Sequence, residues 1–114
     1  MKSVVNKPWG SFEIIDQGDN FLVKKIYVKP NCKLSLQSHI NRSEHWVVVN
    51  GVAEVTLDQD IKILNENQSI FIPKNTKHRL FNNQSTDLIL IEVWCGNILS
   101  EDDITRYEDD YGRA

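Results

Sequence analysis

Between Phe12 and Val93 the apolar residues come in short runs, each closed by turn formers, and this punctuation limits the chain to a β architecture. Alternating strand and helix units would need longer periodic segments, so the pattern points to an antiparallel barrel or sandwich. The candidate strands are Phe12–Ile15, Phe21–Val28, Lys33–His39, His45–Val49, Ala53–Leu57, Ile61–Leu64, Ser69–Ile72, His78–Phe81 and Leu88–Val93. Gly, Pro, Asn and Asp clusters separate them, and Asn50-Gly51 between two apolar runs predicts a tight hairpin. The tail differs. Ser100-Glu-Asp-Asp103 predicts a helix N-cap with acidic first-turn residues, opening a short C-terminal helix through about Asp109 that folds back on the barrel.

Strand parity then picks out a cluster. Gln37 and His39 are two apart and share a face, and the polar break Ile40-Asn41-Arg42-Ser43 lets the chain turn and aim Glu44 toward the same space. His78 opens a later strand after the Pro73-Lys-Asn75 turn. Two imidazoles, a carboxylate and an amide oxygen suit a divalent first-row metal, zinc first, with manganese, iron or nickel also accommodated. Gln37 is the weakest donor, and its alternative role is to hydrogen-bond behind the ligands with water in its place at the metal. His45 alternates with Glu44 and faces the other way, whereas Trp46 shares the inward parity. Trp9 and Trp46 are expected in the core, with Trp46 also able to wall a cavity.

Both segments resemble the two cupin signatures, with Gln37 where the first histidine usually stands and Asn31 and Asn75 where glycine is usual. The wording is closer still to the metal-dependent type II mannose-6-phosphate isomerases, commonly the C-terminal domain of bifunctional mannose-1-phosphate guanylyltransferases. Lys7-Pro-Trp-Gly10, Leu34-Ser-Leu-Gln37-Ser-His39, Arg42-Ser-Glu-His-Trp46, His78-Arg-Leu80, Glu101-Asp-Asp-Ile104 and Tyr111-Gly-Arg113 carry the resemblance in order along the chain. It implies a cupin barrel (a double-stranded β-helix or jelly roll), a metal held by Gln37, His39, Glu44 and His78, and interconversion of mannose 6-phosphate and fructose 6-phosphate for nucleotide-sugar and polysaccharide synthesis. The family places an arginine where Arg42 stands, and a histidine where this chain has Asn41.

Such an isomerisation moves a proton between C1 and C2, and a metal with an open position suits the developing oxyanion. Arg42 and Glu44 are the candidate catalytic residues, although a carboxylate acidified by the metal is a poor base unless it leaves it. The other candidate base is Glu92, which alternates in phase with Leu88 and Leu90 and has equal claims to an inward and an outward position. The phosphate calls for cations, and Arg42, Arg79, Lys24, Lys33 and Arg113 are the candidates, the first two because they lie beside the proposed ligands in sequence.

The 114 residues amount to one domain, 1–114, burying roughly 65% of its unfolded surface. That leaves no room for the nucleotidyltransferase half of the bifunctional relatives. A net charge of −3 with scattered lysines argues against nucleic acid as a partner. Cys32 and Cys95 lack metal-site spacing and are expected as reduced thiols. The first residues have no apolar leader and no run approaches the ~20 apolar residues of a membrane span, so a soluble cytoplasmic protein without a membrane partner is expected. Small cupins commonly pair through barrel strands, so the resemblance implies a homodimer; the sequence itself offers only strands apolar on both faces, such as Trp46-Val-Val-Val49. Two further readings share the ligand set: a mononuclear metal-dependent oxygenase, and a non-catalytic cupin that binds metal and a sugar phosphate.

Overall fold

Buried and exposed residues alternate with period two along the longest strands, so one side of each sheet faces the core and the other faces water. The computed structural model describes residues 3–112. Its strands are β1 Val4–Lys7, β2 Gly10–Gln17, β3 Phe21–Val28, β4 Leu36–Ser38, β5 Ser43–Asn50, β6 Ala53–Leu57, β7 Asp60–Leu64, β8 Ser69–Ile72, β9 His78–Phe81, β10 Leu88–Cys95 and β11 Thr105–Glu108. They form two antiparallel sheets, six strands in the order β1-β2-β3-β10-β5-β8 and five in the order β11-β4-β9-β6-β7. The expected all-β double-stranded β-helix is present. Val28, Val48, Val55, Leu80, Leu88 and Leu90 are almost fully buried between the sheets, with Trp9 and Trp46 in the same core as expected.

The hairpin expected at Asn50-Gly51 is instead a corner between sheets. β5 pairs with β10 and β8, whereas β6 pairs with β7 and β9. Glycine is needed there for two reasons. Its φ is +94°, and a Cβ would lie 2.6 Å from the Asp87 carbonyl oxygen. The tight hairpin joins β6 to β7 through Asp58-Gln59, with Leu57 opposite Asp60 and Asp58 at φ 53°.

The expected C-terminal helix is not formed, and among the described residues there is no helix. Ser100 does cap a turn: its hydroxyl accepts from the Asp102 amide at 3.1 Å and its carbonyl from the Asp103 amide at 3.2 Å. The turn goes no further because the Asp103 carboxylate accepts from the Ile40 and Asn41 amides at 2.9 and 2.8 Å. That anchorage hands the next residues to the exposed edge of β4, where β11 pairs Thr105 with Ser38 and Arg106 with Gln37. The tail therefore folds back on the barrel as expected, but as a strand. Arg113 lies outside the described residues.

The outer face of the six-stranded sheet leaves Val47, Val49 and Phe71 exposed, the surface on which the expected homodimer would draw. Cys32 and Cys95 are free thiols. No helix among the described residues is long and apolar enough to cross a membrane.

Candidate metal centre and its cavity

Glu44 enters the barrel from β5, His39 lies just past the end of β4, and His78 opens β9. All three are buried, and one ligand atom from each lies within 4.8 Å of the others. The imidazoles are oriented from behind. His39 Nδ1 is 2.7 Å from the Asp103 carbonyl oxygen and His78 Nδ1 is 2.9 Å from that of Thr76. A carbonyl only accepts, so both Nδ1 atoms carry the hydrogen and both Nε2 atoms present a lone pair to the centre, that of His39 accepting from Arg42 Nη2 at 3.1 Å; the protonated Nδ1 is the usual arrangement behind metal-ligating histidines.

Burial holds His39 down to about 4, with Arg42 and His78 adding to it and Glu44 opposing. His78 is lowered too, chiefly by burial. Both imidazoles are neutral at pH 7. Burial alone would raise the Glu44 carboxyl, but His78, Arg42 and His39 together hold it below its ordinary value. Two unprotonated imidazole nitrogens and an ionised carboxylate, each oriented by a second partner, fit a divalent metal. Gln37 stands opposite His78 across the β4–β9 pair. Its amide nitrogen donates to Ser35 O and Oγ at 3.3 and 3.2 Å, which leaves Oε1 as the atom it can offer.

The centre opens into a cavity walled by Gln37, Arg42, Glu44, Trp46, His78, Glu92 and Trp94 among others. Arg42 lies inside it rather than in an exposed turn. Its Nε donates to Glu44 Oε2 at 2.7 Å, its Nη1 to the Ser100 carbonyl at 3.0 Å, and its guanidinium stacks 3.4 Å from the Trp94 ring centroid. Nη2 sits 3.1 Å from His39 Nε2. Lys24 is buried in the same cavity, 3.9 and 4.0 Å from the Phe12 and Trp94 rings, and paired with Glu101 at 2.5 Å.

Arg79 and Lys33 are not brought to this cavity. Arg79 follows inward-facing His78 on a strand and so points out, donating to the Leu34 carbonyl at 2.7 Å and lying 3.8 Å from Glu108. Lys33 reaches Asp110 at 3.8 Å. His45 faces outward against Phe71, ring centroids 4.8 Å apart, as its parity predicts.

Lys7 and Arg106, which sequence reasoning did not single out, line the cavity instead. The Nε of Arg106 is buried with no hydrogen-bond partner among the described residues. Glu92 resolves inward and buried. Its sequence signal was available: Glu92-Val-Trp94 repeats the Glu44-His-Trp46 spacing, and each indole donates to its own glutamate, at 3.1 and 2.8 Å. Asp103 left no such signal, because what it offers His39 is a backbone carbonyl.

A ligand that binds only the folded chain stabilises it by mass action. At a free metal concentration 100 times its Kd the gain is about 2.7 kcal/mol, so stripping the metal with a chelator should lower the melting temperature by on the order of 10 °C. An unchanged scanning-calorimetry profile would count against a metal at this centre.

The family model for the mannose-6-phosphate isomerase C-terminal domain matches residues 1–109. The xanthan biosynthesis protein XanB of Xanthomonas campestris is 53% identical over 110 residues, covering 96% of this chain and 24% of that protein. The mannose-1-phosphate guanylyltransferase of Escherichia coli is also 53% identical, covering 96% of this chain and 23% of that protein. The chain thus spans about a quarter of the length of the curated relatives it matches. In fold it resembles an RmlC-like cupin from Shewanella frigidimarina, with TM-score 0.78 and 22% identity over 89% of this chain and 87% of that one.

Proposed function

This chain belongs to the mannose-6-phosphate isomerase C-terminal family of cupins, and from that premise we propose that it is a metal-dependent isomerase interconverting mannose 6-phosphate and fructose 6-phosphate, feeding nucleotide-sugar and polysaccharide synthesis. The observation that carries the reading is one cavity in which a His-Glu-His ligand set sits among the basic side chains Arg42, Lys24, Lys7 and Arg106. A sugar phosphate needs both ends of that arrangement, an electrophile for its carbonyl end and cations for its phosphate.

His39, Glu44 and His78, with Gln37 as a fourth donor through Oε1, would hold the metal, zinc first among the divalent ions that this set accommodates. When bound, the metal supplies Lewis acidity toward a carbonyl oxygen. Arg42 lies against Glu44 and is placed to meet negative charge developing beside it. Arg106 presents a buried donor without a partner among the described residues, which a phosphate oxygen would satisfy. Lys24 and Lys7 add charge on the same wall.

The direct test is to load the chain with zinc, manganese, iron or nickel and follow mannose 6-phosphate by NMR. Appearance of fructose 6-phosphate is expected. Sugar-phosphate binding without turnover would favour the non-catalytic module, and oxygen consumption with the iron form would favour an oxygenase.

A further inference from the structure

Glu92 is buried, stands on the wall of the cavity, and has no part in the ligand set. It is built as the counterpart of Glu44. The two Glu-x-Trp segments run antiparallel in neighbouring strands, so that Glu92 lies beside Trp46 and Trp94 beside Glu44. Their cations differ. Glu44 is bonded to Arg42, whereas Lys24, the cross-strand neighbour of Glu92 on β3, turns its Nζ to Glu101. The Trp94 indole is the hydrogen-bond donor that the Glu92 carboxyl keeps.

Among the described residues, three carboxyl groups line the cavity: Glu44, Glu92 and Glu101. Glu44 is committed to the ligand set, and Glu101 is at the rim, more than half exposed at 56% and paired with Lys24. We infer that Glu92 is the general base that carries the proton between C1 and C2 of the open-chain sugar phosphate, an inference that rests on the isomerase reading. In the forward step the Glu92 carboxylate takes the proton from C2. The C2–H electron pair becomes the C1=C2 bond, and O1 takes up the negative charge. Glu92 then returns the proton to C1. The O2 hydroxyl proton passes to O1 through solvent as the C2 carbonyl forms, so atoms and charge balance without a further reagent.

The surroundings suit that task. Burial, with the Glu44 charge second, pushes the Glu92 carboxyl up to about 8, while Lys24, the Trp94 hydrogen bond and Arg42 oppose. A base is most effective when its proton affinity lies near the working pH. The same shift sets a stability signature. A carboxyl raised from 4.5 to about 8 holds its proton in the fold longer than in the unfolded chain, so the contribution of Glu92 to stability is lost as pH rises across that window, while the lowered His39 and His78 give the opposite slope below their ordinary value of 6.5.

The experiment uses Glu92→Gln, which keeps the shape and removes the carboxylate. Wild type incubated with mannose 6-phosphate in deuterium oxide should place deuterium in the product. Glu92→Gln should lose both isomerisation and deuterium uptake, by on the order of 10³-fold, while keeping full metal content and unchanged affinity for glucitol 6-phosphate as a non-isomerisable probe; without metal, its melting temperature should fall less than that of wild type as pH rises toward 8. Glu92→Asp should restore part of the exchange with its pH–rate limb displaced and KM little changed. It also decides the matter should the glutamine variant fail to fold. Exchange within tenfold of wild type in the metal-loaded glutamine variant would overturn the inference and leave the isomerase reading standing, as would an aspartate variant with an unmoved limb. A wild type that binds metal yet neither isomerises nor exchanges would overturn both.

Discussion

His39→Ala and His78→Ala should each leave the protein without metal after dialysis, and without measurable turnover. A structural zinc site contributes about 10–16 kcal/mol, so one of four ligands is worth about 3 kcal/mol, on the order of a hundredfold in affinity. The loss should exceed that share, because each imidazole comes with a fixed tautomer, His39 through the Asp103 carbonyl and His78 through that of Thr76. No solvent-tethered substitute can inherit that orientation. Gln37→Ala should weaken binding less, since its neutral amide is also engaged with Ser35. His45→Ala is the matched control, being outward against Phe71. Metal quantified by plasma emission settles the matter: stoichiometric metal in the His39/His78 double variant would end the assignment of the centre.

Arg42→Ala should cut turnover of mannose 6-phosphate by roughly 30- to 1000-fold, the 2–4 kcal/mol expected of a charge-assisted contact that strengthens in the transition state. Arg42→Lys should recover only part. Its single ammonium cannot meet both Glu44 Oε2 and the Ser100 carbonyl while stacking on Trp94, as the guanidinium does. A second effect is expected without metal. Removing Arg42 strands the buried Glu44 carboxylate, and breaking a buried pair typically costs about 3–5 kcal/mol. The alanine variant should therefore melt well below wild type in chelator and much closer to it in saturating metal. Wild-type turnover would remove Arg42 from the catalytic role; equal melting in chelator would mean that Glu44 has another counter-charge.

Period-two alternation carried most of what was legible in the chain. It places Glu44 and Trp46 inside and His45 outside without any knowledge of the sheets, since the rule is local. Applied to the residue after His78, the same rule sends Arg79 away from the cavity, so its adjacency to His78 in sequence is not adjacency in space. Pairing between distant strands was beyond reach. Asn50-Gly51 has the chemistry of a hairpin turn, yet which strand lies beside which is decided by β8, β9 and β10. The tail is the clearest override: a sound capping signal at Ser100 lost to a carboxylate claimed by the Ile40 and Asn41 amides and to the free edge of β4. Arg106 reaches the cavity only because β11 adds to that edge, so missing the strand meant missing the residue.

Asp103 works through two different parts of itself: its carboxylate ties down the loop at Ile40 and Asn41, and its main-chain oxygen sets His39. An alanine scan would erase the first part and leave the second untouched. A mutational map assembled side chain by side chain would thus score this position as a loop anchor and remain blind to its hold on the ligand, a hold that genetic drift at the position can likewise never remove by changing the residue's chemistry, only by moving its backbone.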